Sequence, residues 1–239
     1  MQGKIQYDKK MFKFYTDKAE EFDNLFNMII DKHDSSNTIN RAAQYGIPAN
    51  IISDKTGKKL QAFLYSQYKL FARELKQSVR FHKSFMSKNG AQIRNILEKI
   101  FEHDIPTYNV RLDSQITGMS DWHTNKICIN AFSYLQRFKA RHMLLSLIWE
   151  TALSLTFIDI RKKYSQKQIS DKKVWAISEL TAMAIWKSEF SEYDWHGVNV
   201  GYSELLPYQD KISKLYQSRK NFAEFLDSAV KLFKTIKIK

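Results

Sequence analysis

Between residues 8 and 33 the apolar side chains Phe12, Tyr15, Phe22, Phe26 and Ile29 or Ile30 recur at spacings of three, four and seven, with charges between them. That period predicts an amphipathic helix whose apolar face needs a partner. Asp34-Ser35-Ser36-Asn37 and Gly46-Ile47-Pro48 read as breakers, so residues 38–53 are expected to form short helices and turns. A long helix over residues 55–87 follows. Its stripe is Leu60, Phe63, Leu64, Tyr68, Phe71, Leu75, Val79 and Met86, and Lys88-Asn89-Gly90 is expected to end it. His82 lies on the same side and, with no second histidine at helical spacing, reads as structural. A further amphipathic helix covers 91–103 and stops before Pro106.

The pattern then changes period. Tyr108 to Leu112 alternates apolar and polar, Gly118 marks a turn, and Lys126-Ile127-Cys128-Ile129-Asn130 alternates again. Two or three strands forming a small sheet are the predicted β content. Helices are expected over 131–139, 140–163 and 172–190, then over 204–217 and 218–235 after a turn region around His196-Gly197 and Gly201. The expected fold class is mostly α with a small β-sheet (α+β). Its predicted organisation is an N-terminal helical unit at 1–90, a mixed core at 91–190 and a C-terminal helical extension at 191–239.

Composition agrees with that class. In 239 residues there are only 7 glycines and 3 prolines, too few for a turn-rich sandwich or barrel. The glycines are scattered singly, so no phosphate-binding loop is present. Cys128 is the only cysteine, which excludes an internal disulfide and a multi-cysteine zinc site and fits a reducing, cytoplasmic setting. In its alternating strand it is expected to be a small buried hydrophobe rather than a reactive thiolate. The first thirty residues carry charges throughout and lack the apolar run of an export signal. Met143 to Ile158, the longest apolar run, falls short of the roughly 20 residues needed to cross a bilayer, so no membrane span is expected.

Net charge is +13. The excess is diffuse: residues 1–89 carry 16 basic and 9 acidic side chains, 90–190 carry 14 and 10, and 191–239 carry 8 and 6. With 29 lysines against 9 arginines the bland expectation is a lysine-rich surface, because base readout and bidentate phosphate recognition lean on arginine. Nucleic acid stays as a possible partner of that surface, through phosphate contacts.

Two apolar helices carry the candidate chemistry. In MLLSLIWETALSLTFI, residues 143–158, Glu150 is the only charge; in VWAISELTAMAIW, residues 174–186, Glu179 is the only charge. A helix apolar all round lies deep in a protein, where a carboxylate is costly unless paired, protonated or coordinated. Either each glutamate pairs with a Lys or Arg from another segment, or both line one site. A di-iron bundle would need His three residues after each, but those positions hold Leu153 and Ala182. A glycosidase-type carboxylate pair is formally allowed, though nothing else in the sequence points to sugar binding.

This order of elements, a helix at 91–103, strands ending in KICIN, then two buried helices each with one Glu, resembles the core of small gluzincin-type zinc metallopeptidases. In that family the first buried helix carries His-Glu-x-x-His, with both histidines on one face toward the metal, and a glutamate on a later helix completes the site. The motif falls here on Trp149-Glu150-Thr151-Ala152-Leu153. By resemblance Glu150 matches the general base and Glu179 the third ligand. Trp149 and Leu153 stand at the histidine positions and have no lone pair for a metal. The resemblance, over roughly residues 91–190, implies a degenerate zincin-like core with no metal and no cofactor, in which Trp149 and Leu153 point into the space that Glu150 and Glu179 line.

The expected function is therefore that of a pseudoenzyme, a metal-free, non-catalytic protein that binds a partner protein or a nucleic acid. The competing expectation is a hydrolase using Glu150 and Glu179 with a metal site completed by a histidine outside the motif. His142 precedes Glu150 by eight positions, about 80° off its face. His123 and His196 each follow a Trp in turn-like segments.

Overall fold

A computed structural model describes residues 11–30, 47–114, 120–121, 124–132, 139–193 and 202–237. The fold is mostly helical with a small three-stranded parallel sheet, the expected class. The described chain divides into two units. One comprises residues up to 97 with 104–119 and 128–132; the other comprises 98–103, 120–127 and 133–239.

The first unit is built on strands β1 (Phe12–Tyr15), β2 (Tyr108–Asp113) and the end of β3 (Lys126–Asn130), in the order β1-β2-β3. β1 runs parallel to β2, with Phe12 opposite Tyr108 and Phe14 opposite Val110. β1 corrects the expectation of one continuous helix from residue 8. Phe12 and Phe14 are buried while Lys13 between them is exposed, a period of two that the pairing with β2 rewards. The helix starts only after Asp17, whose carboxylate accepts from the backbone N–H of Ala19 and Glu20 at 2.9 and 3.1 Å and so caps α1 (Lys18–Ile30).

After the single turn α2 (Ala49–Ile52) come α3 (Lys58–Leu70) and α4 (Ala72–Phe101). Leu25, Ile47, Ile52, Leu60 and Leu64 make one buried cluster between α1, α2 and α3. The helix break sits at Phe71, the C-cap of α3, and not at residues 88–90. α4 runs unbroken through Lys88-Asn89-Gly90, so the separate helix expected at 91–103 is its continuation. The Asn89 side chain donates to the Phe85 carbonyl at 2.8 Å, spending its polarity inside the helix instead of capping it. His82, as expected, is a core residue. Its Nδ1 lies 2.7 Å from the Ser78 carbonyl, its ring packs on Phe14, and burial lowers its pKa to about 4.

The second unit holds α5 (Lys139–Lys163), α6 (Asp171–Glu189), α7 (Gln209–Gln217) and α8 (Phe222–Lys234), with 3-10 turns at Ser191–Tyr193 and Leu206–Tyr208. α5 and α6 pack along each other. Arg161, Lys162 and Lys163 close the C-terminal turn of α5, where cations complement the helix dipole. α8 is capped by Asn221, whose side chain accepts from the Glu224 N–H at 2.8 Å. The apolar part of α5 runs further than expected: Met143–Lys163, 21 residues, is long and apolar enough to cross a membrane by length and composition. However, 67% of its most apolar window is buried within the fold, which leaves no clear membrane span. Cys128 is fully buried, as its strand pattern implies. The helix expected at 131–139 is a turn at 131–132 and otherwise lies outside the described residues up to Lys139, as does the turn region around His196-Gly197 and Gly201.

Candidate functional site

α6 is buried from Val174 to Trp186 apart from Trp175, which is half-buried. Its hydroxyls are absorbed locally: Ser178 donates to the Val174 carbonyl at 2.9 Å and Thr181 to the Ile177 carbonyl at 2.7 Å. Glu179 is the one charged group in this stretch, and it is only 6% exposed. Its partners are neither Lys nor Arg. The Trp149 indole N–H on α5 donates to Oε2 at 2.8 Å, and the Trp175 indole N–H, one turn earlier on α6, donates to Oε1 at 3.1 Å. Tyr202, 37% exposed, sets its ring edge-on to Trp175 with centroids 4.7 Å apart.

Burial pushes the Glu179 carboxyl up to about 7, and the nearby charge of Glu150 pushes the same way; the two indole hydrogen bonds, that of Trp149 foremost, pull it back. Half-buried Glu150 and buried Glu179 therefore belong to one electrostatic neighbourhood. Trp149 reaches into it directly. Leu153 is one turn further along α5 and is 2% exposed, an apolar filler with nothing to offer a metal.

Sequence reasoning named Trp149, Glu150, Leu153 and Glu179 but missed Trp175. The signal was present, since positions four apart on a helix share a face. His123 and His196 lie outside the described residues, as does the side chain of His142.

The residues present do not fit a zinc site. The two motif positions carry an indole and an isobutyl group, and each Glu179 oxygen already accepts an indole N–H. Among the described residues no three His, Cys, Asp or Glu side chains are grouped to hold a metal ion. What the arrangement can do is hold a carboxyl between two tryptophans, near its own midpoint of titration at neutral pH.

A second buried carboxylate cluster, in the first unit, was not anticipated. Glu21 on α1 accepts from the Ser114 backbone N–H at 2.8 Å, the Ser114 hydroxyl at 3.1 Å and the Tyr68 hydroxyl at 2.7 Å. At the end of β2 the Arg111 guanidinium pairs with Asp113 at 2.6 and 3.2 Å. Burial, then the charge of Asp113, pushes Glu21 up to about 7. Arg111 is disfavoured by burial, but its bonds to Asp113 outweigh that and hold its pKa above the usual value. Every carboxylate here is satisfied by protein donors, so the cluster reads as a tie between α1, α3 and the end of β2.

Compared with known proteins, the chain matches no family model, no curated protein and no solved structure.

Proposed function

We propose that this chain is a metal-free, non-catalytic, zincin-like protein of the cytoplasm that acts by binding a partner protein. The observation that carries the reading is the Trp149 indole on Glu179 at 2.8 Å. Under the gluzincin resemblance this is where the first motif histidine and its metal would meet the glutamate ligand. An indole there supplies a donor to the carboxylate and no lone pair to a metal, so the ligand position serves packing and hydrogen bonding. The single, buried Cys128 supports a reducing compartment.

The test is metal binding by full-length protein purified without an affinity tag. The parent chain is expected to carry no stoichiometric zinc. The double substitution Trp149→His with Leu153→His is expected to create a zinc site that is lost on adding Glu179→Ala, at the expense of several kcal/mol of stability from the lost packing, on the order of 2–5 per site. Stoichiometric zinc in the parent, lost in Glu179→Ala, would overturn the metal-free reading. A folded double variant without zinc affinity would remove the zincin-like geometry.

A further inference from the structure

β1 is an edge strand: among the described residues it pairs only with β2. The Tyr108 N–H donates to the Met11 carbonyl at 2.9 Å, which places the main-chain groups of Met11, Lys13 and Tyr15 toward β2. Alternation then turns the N–H and C=O of Phe12 and Phe14 to the open side. Along that side, between β1 and α4, runs a cleft of about 600 Å³. It falls within the roughly 300–1,000 Å³ usual for ligand sites. Met11, Phe12, Phe14 and Met86 give it apolar walls, and Lys13 and Lys83 are exposed on its two sides.

We infer that this cleft docks an extended, acidic segment of a partner protein, which adds a strand to the open edge of β1. Unpaired main-chain donors and acceptors supply the register, and the apolar walls take alternate side chains. Charge selects the partner. Neither Lys13 nor Lys83 has an ion-pair partner among the described residues. From Leu75 to Leu97 α4 carries Lys76, Arg80, Lys83, Lys88 and Arg94 and no acidic residue. A strand alternating apolar and acidic side chains meets both features at once. Nucleic acid meets only the second, since it has no use for a β edge.

Gly90 makes the case specific. It faces the cleft one turn beyond Met86, inside an unbroken helix where glycine is unfavourable. Among the described residues a Cβ there would meet only the Met86 methyl, at 3.4 Å, an ordinary contact. Packing among the described residues therefore does not demand glycine at this position, and a larger side chain there would project into the cleft.

The inference deepens the proposal that the chain binds a partner protein, and rests on it for the existence of that partner. Its test uses the full chain and a short fluorescent peptide alternating Glu and Val, read by anisotropy. Binding is expected to weaken with added salt, to fall at least about tenfold in Gly90→Leu and in the surface variant Lys83→Glu, and to vanish when the peptide is N-methylated at alternate residues or carries Lys in place of Glu. Circular dichroism and the thermal midpoint confirm that each variant is folded, and Lys83→Glu keeps the test open should Gly90→Leu not fold. Absence of binding, binding indifferent to both variants, or displacement of the peptide by a DNA or RNA oligonucleotide that binds more tightly with the same variant dependence would each overturn the inference. None of these outcomes touches the zinc measurement, because α5 and α6 do not line the cleft.

Discussion

At the scale of single residues, the unusual group is a glutamate bound by two tryptophans and no cation. A glutamate starts from about 4.5, and Glu179 in the fold titrates near 7. Below pH 4.5 both folded and unfolded chains hold the proton, and burial costs nothing on that account. As pH rises to about 7 the unfolded chain ionises while the folded one resists, so this group takes stability away, up to roughly 3 kcal/mol above pH 7. Glu21 shifts in the same direction, so the effect of Glu179 must be read as a difference between proteins. In Glu179→Gln the gain in unfolding free energy over the parent is expected to grow with pH from 4.5 to 7 and then level off, as followed by urea titrations across that range. The parent's tryptophan fluorescence should titrate with a midpoint near 7 through Trp149 and Trp175, and that transition should be missing in the variant. Parallel stability curves, with the fluorescence transition unchanged, would contradict this account.

At the scale of elements, two glycines behave in opposite ways. Gly90 lies within α4, where among the described residues a Cβ would touch only the Met86 methyl, so Gly90→Ala is expected to stabilise the chain by roughly 0.5–1 kcal/mol through helix propensity. Gly57, the N-cap of α3, holds φ at +72°, and a Cβ there would come within 2.8 Å of the Phe26 ring. Gly57→Ala should therefore cost more than the roughly 1 kcal/mol that backbone strain alone imposes. Denaturant midpoints of the two variants, moving in opposite directions, check both statements.

The same glycine shows what the sequence could and could not convey. Tyr108–Asp113, Lys126–Asn130 and the two apolar helices are legible because one period, or an unbroken apolar character, dominates each. Lys88-Asn89-Gly90 looks like a helix end because local chemistry allows one, but burial of Ile93, Leu97, Ile100 and Phe101 beyond it carries the helix through. Phe12 and Tyr15 fit a helical stripe as well as a strand, and only a partner 96 positions away, with Phe12 opposite Tyr108, decides between them. The lone charges Glu150 and Glu179 announce themselves in apolar helices. Glu21 sits among other charges on an amphipathic helix, and nothing local marks it for burial beside Ser114.

At the scale of the whole molecule, the chain weaves between its two units, and sequence neighbours are not fold neighbours. The first unit draws on residues up to 97, then 104–119, then 128–132. A fragment of residues 1–90 contains β1 but neither β2, its only strand partner among the described residues, nor β3. It also holds Glu21 and Tyr68 without Ser114, so of the three hydrogen bonds described above the buried carboxylate would keep the one from Tyr68. A buried acceptor stripped of partners costs on the order of 1–3 kcal/mol each, and the exposed edge of an unpaired β1 adds to that loss. The fragment 1–90 is therefore expected to be helical by circular dichroism yet to unfold without a cooperative urea transition, while a fragment of residues 1–132, which restores β2, β3 and Ser114, regains one. A cooperative transition in 1–90 as sharp as that in 1–132 would mean that α1, α3 and α4 hold themselves together and that the sheet merely decorates them. The distinction matters for the cleft, because only a β1 fixed by β2 presents the main chain of Phe12 and Phe14 in the register that an added strand requires.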